Sequence, residues 1–126
     1  MKIAALVSRI LLGLVFTFFG LNGILNFLPT PPLPPGPAGQ FLSALFASHY
    51  LYLIAGVQVI SGVLLLVNRY VPLAIVLLGA MLVNILAYHL LMNSMGLVIA
   101  LVVALLWIVL ALYHRQHLAC IFVQRT

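Results

Sequence analysis

The chain reads as an all-α polytopic membrane protein: an antiparallel four-transmembrane-helix bundle with a short interfacial helix after a Pro-rich outer loop. Three observations carry that expectation. Of its 126 residues, 67% are hydrophobic and 4% are charged, whereas a soluble domain devotes about 25% to charge. The mean hydropathy is +1.37. The apolar residues also gather into runs long enough to cross a hydrocarbon core of about 30 Å as helix, the form required where lipid offers the backbone no partners. One domain, 1–126, accommodates all of them.

The first span is expected at about 3–28. Its apolar run from Ile10 to Leu28 exceeds the roughly 7–15 residues of a signal-peptide core, and it passes into Pro29-Thr30-Pro31-Pro32, so it reads as a retained span. The outer loop, 29–49, opens with prolines that cannot form regular helix. Phe41, Leu42, Leu45 and Phe46 then recur at helical spacing. Joining that stretch to the second span would give about 45 Å of helix, too long for a bilayer. A separate interfacial helix over Ala38–Ser48, with a break near Ser48-His49, is the expectation; it serves as a structural cap, or as a lid or docking surface. The second span is expected at about 50–67. Asn68-Arg69-Tyr70 forms a tight turn, and Pro72 opens the third span, 71–91, where its missing N–H costs nothing. The fourth span is expected at about 95–113. Short connections favour antiparallel neighbours.

Charge orients the bundle. Lys2, Arg9, Arg69, Arg115 and Arg125 all fall on one side of this topology, the side that the positive-inside rule makes cytoplasmic. Arg9, inside the first helix, is placed to snorkel to the inner headgroups. There is no Asp and no Glu. Paired-carboxylate catalysis, acid-supported triads and carboxylate Ca²⁺ or Mg²⁺ sites are therefore excluded. No catalytic residue and no metal site is assigned, and the chain is expected to have no catalytic activity of its own. Scattered cations do not make a nucleic-acid stripe, so no nucleic acid is expected as a partner. Cys120, the single cysteine, rules out a CxxC pair and reads as a free thiol near the tail.

Polar groups inside spans are where function is sought, because lipid penalises them. Asn22, Gln58 and Asn84 lie about 9, 12 and 10 Å from the outer ends of their spans, forming one neutral layer. Asn26 is one turn above Asn22; Tyr88 and His89 stand above Asn84; His49 sits at the entrance of the second span. Two readings stay open: interhelical hydrogen bonds holding the bundle together, or a pocket opening to the outer leaflet that addresses a quinone-like carbonyl headgroup or a lipid through neutral donors. A haem or chlorophyll-type pigment held by His49 and His89 ranks third. His114 and His117 read as a solvated inner end. Gly13, Gly20 and Gly23 on the first span, with Gly56, Ser61 and Gly62 on the second, permit close backbone approach. Trp107, mid-span, faces the bundle or a partner.

Arg9-Ile10-Leu11-Leu12-Gly13-Leu14-Val15-Phe16 with Phe19-Gly20-Leu21-Asn22-Gly23 resembles the first helix of the DoxX-like family of small four-span bacterial membrane proteins. Gly62-Val63-Leu64-Leu65-Leu66-Val67-Asn68-Arg69-Tyr70-Val71-Pro72-Leu73 is similar to that family's second-to-third-helix turn, and Val83-Asn84-Ile85-Leu86-Ala87-Tyr88-His89 to its third helix. The likeness implies a four-helix bundle in the bacterial cytoplasmic membrane, linked to redox metabolism; relatives include small subunits of quinone-reducing sulfur-oxidising complexes. The sequence departs from the family's pattern where a Lys is often found near Gly23 and an acid near Gln58, which puts independent proton-coupled chemistry in doubt. The expected function is an integral accessory subunit of a larger membrane electron-transfer complex, respiratory or photosynthetic, bordering a quinone or lipid channel. A stand-alone quinone-binding oxidoreductase component is the alternative. A small-molecule carrier is third, lacking a charged pathway or an inverted repeat.

Overall fold

A computed structural model describes residues 2–25, 32, 34–91 and 96–122. Among them the elements are all helical: α1 (Lys2–Leu25), α2 (Pro37–Ala47), α3 (Tyr50–Val67), α4 (Val71–Leu91), α5 (Leu97–Tyr113) and α6 (Arg115–Leu118), followed by a 3-10 turn, Ala119–Phe122. Residues 26–28 and 95 of the expected first and fourth spans, Asn26 among them, lie outside the described residues, as do Pro29 and Pro31 of the outer loop. Helices α1, α3 and α4 are each long and apolar enough to cross a membrane. The 17 residues of α5 make about 26 Å of helix, and the chain then bends by 84° into Arg115–Ile121. The protein is a multi-pass, largely helical membrane bundle.

Helix α1 packs against α3 and α5, and α4 packs against the same two. Successive spans are thus neighbours around a square. Its centre is filled by Leu12 and Phe16, Leu65, Ile75, Leu78 and Leu82, and Val103 and Leu110. Outside, Val98, Ile99, Leu101, Val102 and Leu105 of α5 are exposed, a surface that lipid covers at no hydrophobic cost.

The α1–α3 seam is the closest approach. A Cβ on Gly62 would lie 2.7 Å from the Thr17 amide nitrogen and 2.9 Å from the Gly13 carbonyl oxygen. Only glycine lets these two backbones touch, the small-residue packing membranes favour. Gly56, expected to join this seam, has open space around it; it lies on another face of α3. At the end of the bundle that carries Lys2 and Arg69, termed inner, with the opposite end termed outer, Arg9 donates to the Leu65 carbonyl, placing a cation at the negative end of α3 and tying α1 to it. Between α4 and α5, Trp107 faces the bundle: its indole N–H donates to the Ile75 carbonyl at 2.8 Å, and its ring lies against Gly79.

Local chemistry sets the breaks. Ser48 Oγ donates to Ala44 O at 2.7 Å and accepts from Tyr50 N at 3.3 Å, while His49 turns left-handed at φ 60. One helix therefore ends and the next begins within three residues. At the other end of α3, Asn68 takes a left-handed cap (φ 57); the Arg69 N–H reaches Leu64 O at 3.1 Å, the capping geometry Asn tolerates well.

Candidate functional site

The inner and outer halves of the α3–α4 pair differ. The buried residues of α4 are Val71, Ala74, Ile75, Leu78 and Leu82; beyond Leu82 the helix has none. From that level outward α3 and α4 border a cavity of about 440 Å³, within the roughly 300–1,000 Å³ of small-ligand sites. Leu51, Ile54 and Gln58 line it from α3 at helical spacing, and Met81, Asn84, Ile85, Tyr88 and His89 from α4. Helix α2 contributes Phe41, Leu42 and Leu45. The Phe41 ring meets Tyr88 with centroids 5.8 Å apart, so α2 joins the outer ends of α3 and α4. The break at Ser48-His49 is what folds α2 back over them.

The wall is mainly apolar with a few convergent polar groups, the usual composition of a ligand pocket. Asn84 is exposed at the wall and donates from Nδ2 to Ala80 O, one turn back, at 3.0 Å. That bond shelters one amide N–H and leaves the second N–H and the carbonyl oxygen for a ligand. Gln58 is half-buried and has no hydrogen-bond partner among the described residues. His89 Nδ1 lies 2.7 Å from Ile85 O. A carbonyl only accepts, so Nδ1 carries the proton and Nε2 of the neutral ring is left as an acceptor. The pocket thus offers amide donors and acceptors together with an imidazole acceptor, and no carboxylate. Its Asn84 edge is exposed.

The expected site residues divide. Gln58, Asn84 and His89 share this pocket. Asn22, half-buried on α1, is not among its lining residues. His49 stacks on Tyr52, centroids 5.7 Å apart, and borders a separate cavity of about 100 Å³ with Gly23, Phe46 and Leu51. His114 and His117 are neighbours at the opposite end, ring centroids 6.1 Å apart. Among the described residues, no three His or Cys side chains come together. The stretch holding the roof residues Phe41, Leu42 and Leu45 was expected as a cap, or as a lid or docking surface; nothing local announces that α3 and α4 are the helices it covers. Comparison with protein-family models, with curated proteins and with solved structures gives no match. The reading of the pocket therefore rests on its own chemistry.

Proposed function

We propose that this protein binds a neutral lipid-soluble ligand of the quinone class in the outer α2–α3–α4 pocket, as an integral accessory subunit of a larger membrane electron-transfer assembly. The observation that carries the reading is the 440 Å³ cavity whose apolar wall presents Gln58, Asn84 and His89 together. Amides address a quinone carbonyl without a buried charge, and the His89 acceptor is suited to the hydroxyl of the reduced, quinol form. The apolar lining suits an isoprenoid or acyl tail, and the Asn84 edge gives entry from the bilayer. Electron transfer belongs to a partner subunit, because this chain has neither a cysteine pair nor an acid.

The finer assignment also draws on the resemblance of the Asn22, Asn68–Pro72 and Asn84–His89 motifs to DoxX-like proteins. On this reading the chain lies in the bacterial cytoplasmic membrane with Lys2 and the α5–α6 bend on the cytoplasmic side, following the positive charges. Binding of a short-tailed quinone and its quinol to the purified full chain in detergent tests the pocket. Wild type is expected to bind both, and Asn84→Leu with His89→Leu is expected to lose about tenfold or more, the size of a lost hydrogen bond to a buried group. Equal affinity in wild type and double variant would remove the pocket from the account. Gentle detergent extraction tests the assembly separately: the chain should remain in a large complex, and a chain running alone would overturn the accessory role.

A further inference from the structure

The opposite end of the bundle holds a second cavity of different chemistry. It encloses about 280 Å³ between the first turns of α1, the α3–α4 turn and the end of α5. Lys2 and Arg9 border it from α1, seven residues apart and so on one helical face. Asn68 and Tyr113 add neutral donors, His114 adds an imidazole, and Ala5, Leu6 and Leu110 form an apolar floor. Arg9 donates one of its guanidinium's five N–H groups to the Leu65 carbonyl. The whole chain has no Asp or Glu, so none of its side chains can neutralise these cations. Charge held at a membrane boundary beside an apolar floor is matched best by an anion that brings its own hydrocarbon. Basic pockets between spans, on the side bearing the positive charges, bind anionic headgroups on these grounds.

We propose that the cleft between α1 and α5, where Lys2 and Arg9 face Asn68, Tyr113 and His114, binds the phosphate of an anionic phospholipid of the adjoining leaflet. The phosphodiester sits against Lys2 and the remaining Arg9 donors. The glycerol and the upper acyl chains lie along Leu6 and Leu110. The chain bends by 84° after α5, and Leu118 of α6 packs against the core. The lipid would fix the first turn of α1 to the end of α5, a contact the protein cannot neutralise with its own side chains. This inference does not depend on the ligand of the outer pocket.

Native mass spectrometry of the full chain from neutral detergent tests it, with phosphatidylglycerol and phosphatidylcholine of matched acyl chains supplied in equal amounts. Wild type should retain one phosphatidylglycerol with a preference of about tenfold. Lys2→Gln with Arg9→Gln should abolish the preference. Lys2→Gln alone, at an exposed position, should reduce it severalfold while leaving Trp107 fluorescence unchanged. Arg69→Gln, outside the lining residues, should keep it. Equal retention of the two lipids by wild type would overturn the proposal, as would an Arg69→Gln loss equal to that of the double variant, which marks diffuse attraction only. Displacement by millimolar glycerol phosphate would assign the site to a free phosphate compound and overturn the lipid; no displacement supports it.

Discussion

The two faces of α3 have opposite fates. Towards α1, Gly62 meets the backbone of Thr17 and Gly13 with no room for a Cβ. Towards the outer part of α4, Leu51, Ile54 and Gln58 stand back from Asn84, Ile85 and Tyr88 across a cavity. Small residues let two helices close completely; large ones under a third helix hold them apart. Within a membrane this division matters, because apolar surface gains little from leaving lipid and packing decides association. The closed face supplies the frame, and the open face is left for a ligand.

Substitutions that exchange the two faces should break this contrast most. Gly62→Leu would force α1 and α3 apart and is expected to cost about 3 kcal/mol, seen as loss of folded protein in a thermal or denaturant titration. Gly56→Leu, one and a half turns away in open space, should stay within about 0.5 kcal/mol. Equal damage from both would mean that the seam is not where Gly62 places it. Trp107→Phe keeps the ring against Gly79 but loses the bond to Ile75; about 1 kcal/mol is expected, measured in the same titration.

On the open face, Phe41→Ala removes the ring that meets Tyr88. It should weaken binding of the short-tailed quinone about tenfold, with a smaller change in stability than Gly62→Leu because Phe41 is 40% exposed. The smallest effect concerns His114, just beyond α5. Burial first, then the charges of His117 and Arg9, lowers its pKa from the ordinary 6.5. The unfolded chain then takes up this proton more readily than the folded one. Stability from this group is complete above about pH 6.5 and declines as the pH falls towards the lowered folded value. The decline should be absent in His114→Gln, followed by thermal unfolding between neutral and mildly acidic pH.

What was legible in the sequence follows from how local each cause is. The helix break at Ser48-His49 and the turn at Asn68 rest on side-chain and backbone chemistry within a few residues, so both were readable. The apolar runs required helices, and the short turn placed α3 beside α4. The seam was only partly readable: Gly56 and Gly62 look alike along the chain, and they stand about 120° apart around α3, so only one of them meets α1. Depth along the spans suggested an amide layer but not its partners. Asn84 bonds to its own helix through Ala80, while Asn22 and Gln58 fall on different helices' faces, which depth along a span does not specify. His49 and His89, expected at one level, border separate cavities. The 84° bend after Tyr113 has no proline or glycine to announce it.

The central claim is that the outer α2–α3–α4 cavity receives a quinone-class ligand. Photolabelling of the full chain in its native membrane with a photoactivatable quinone analogue, followed by peptide mass spectrometry, tests it most directly. Label concentrated on the roof and the facing walls, at Phe41–Leu45, Leu51–Gln58 and Met81–His89, and suppressed by excess unlabelled quinone, is the predicted result. Label spread over the lipid-facing surface of α5, and unchanged by competitor, would contradict it.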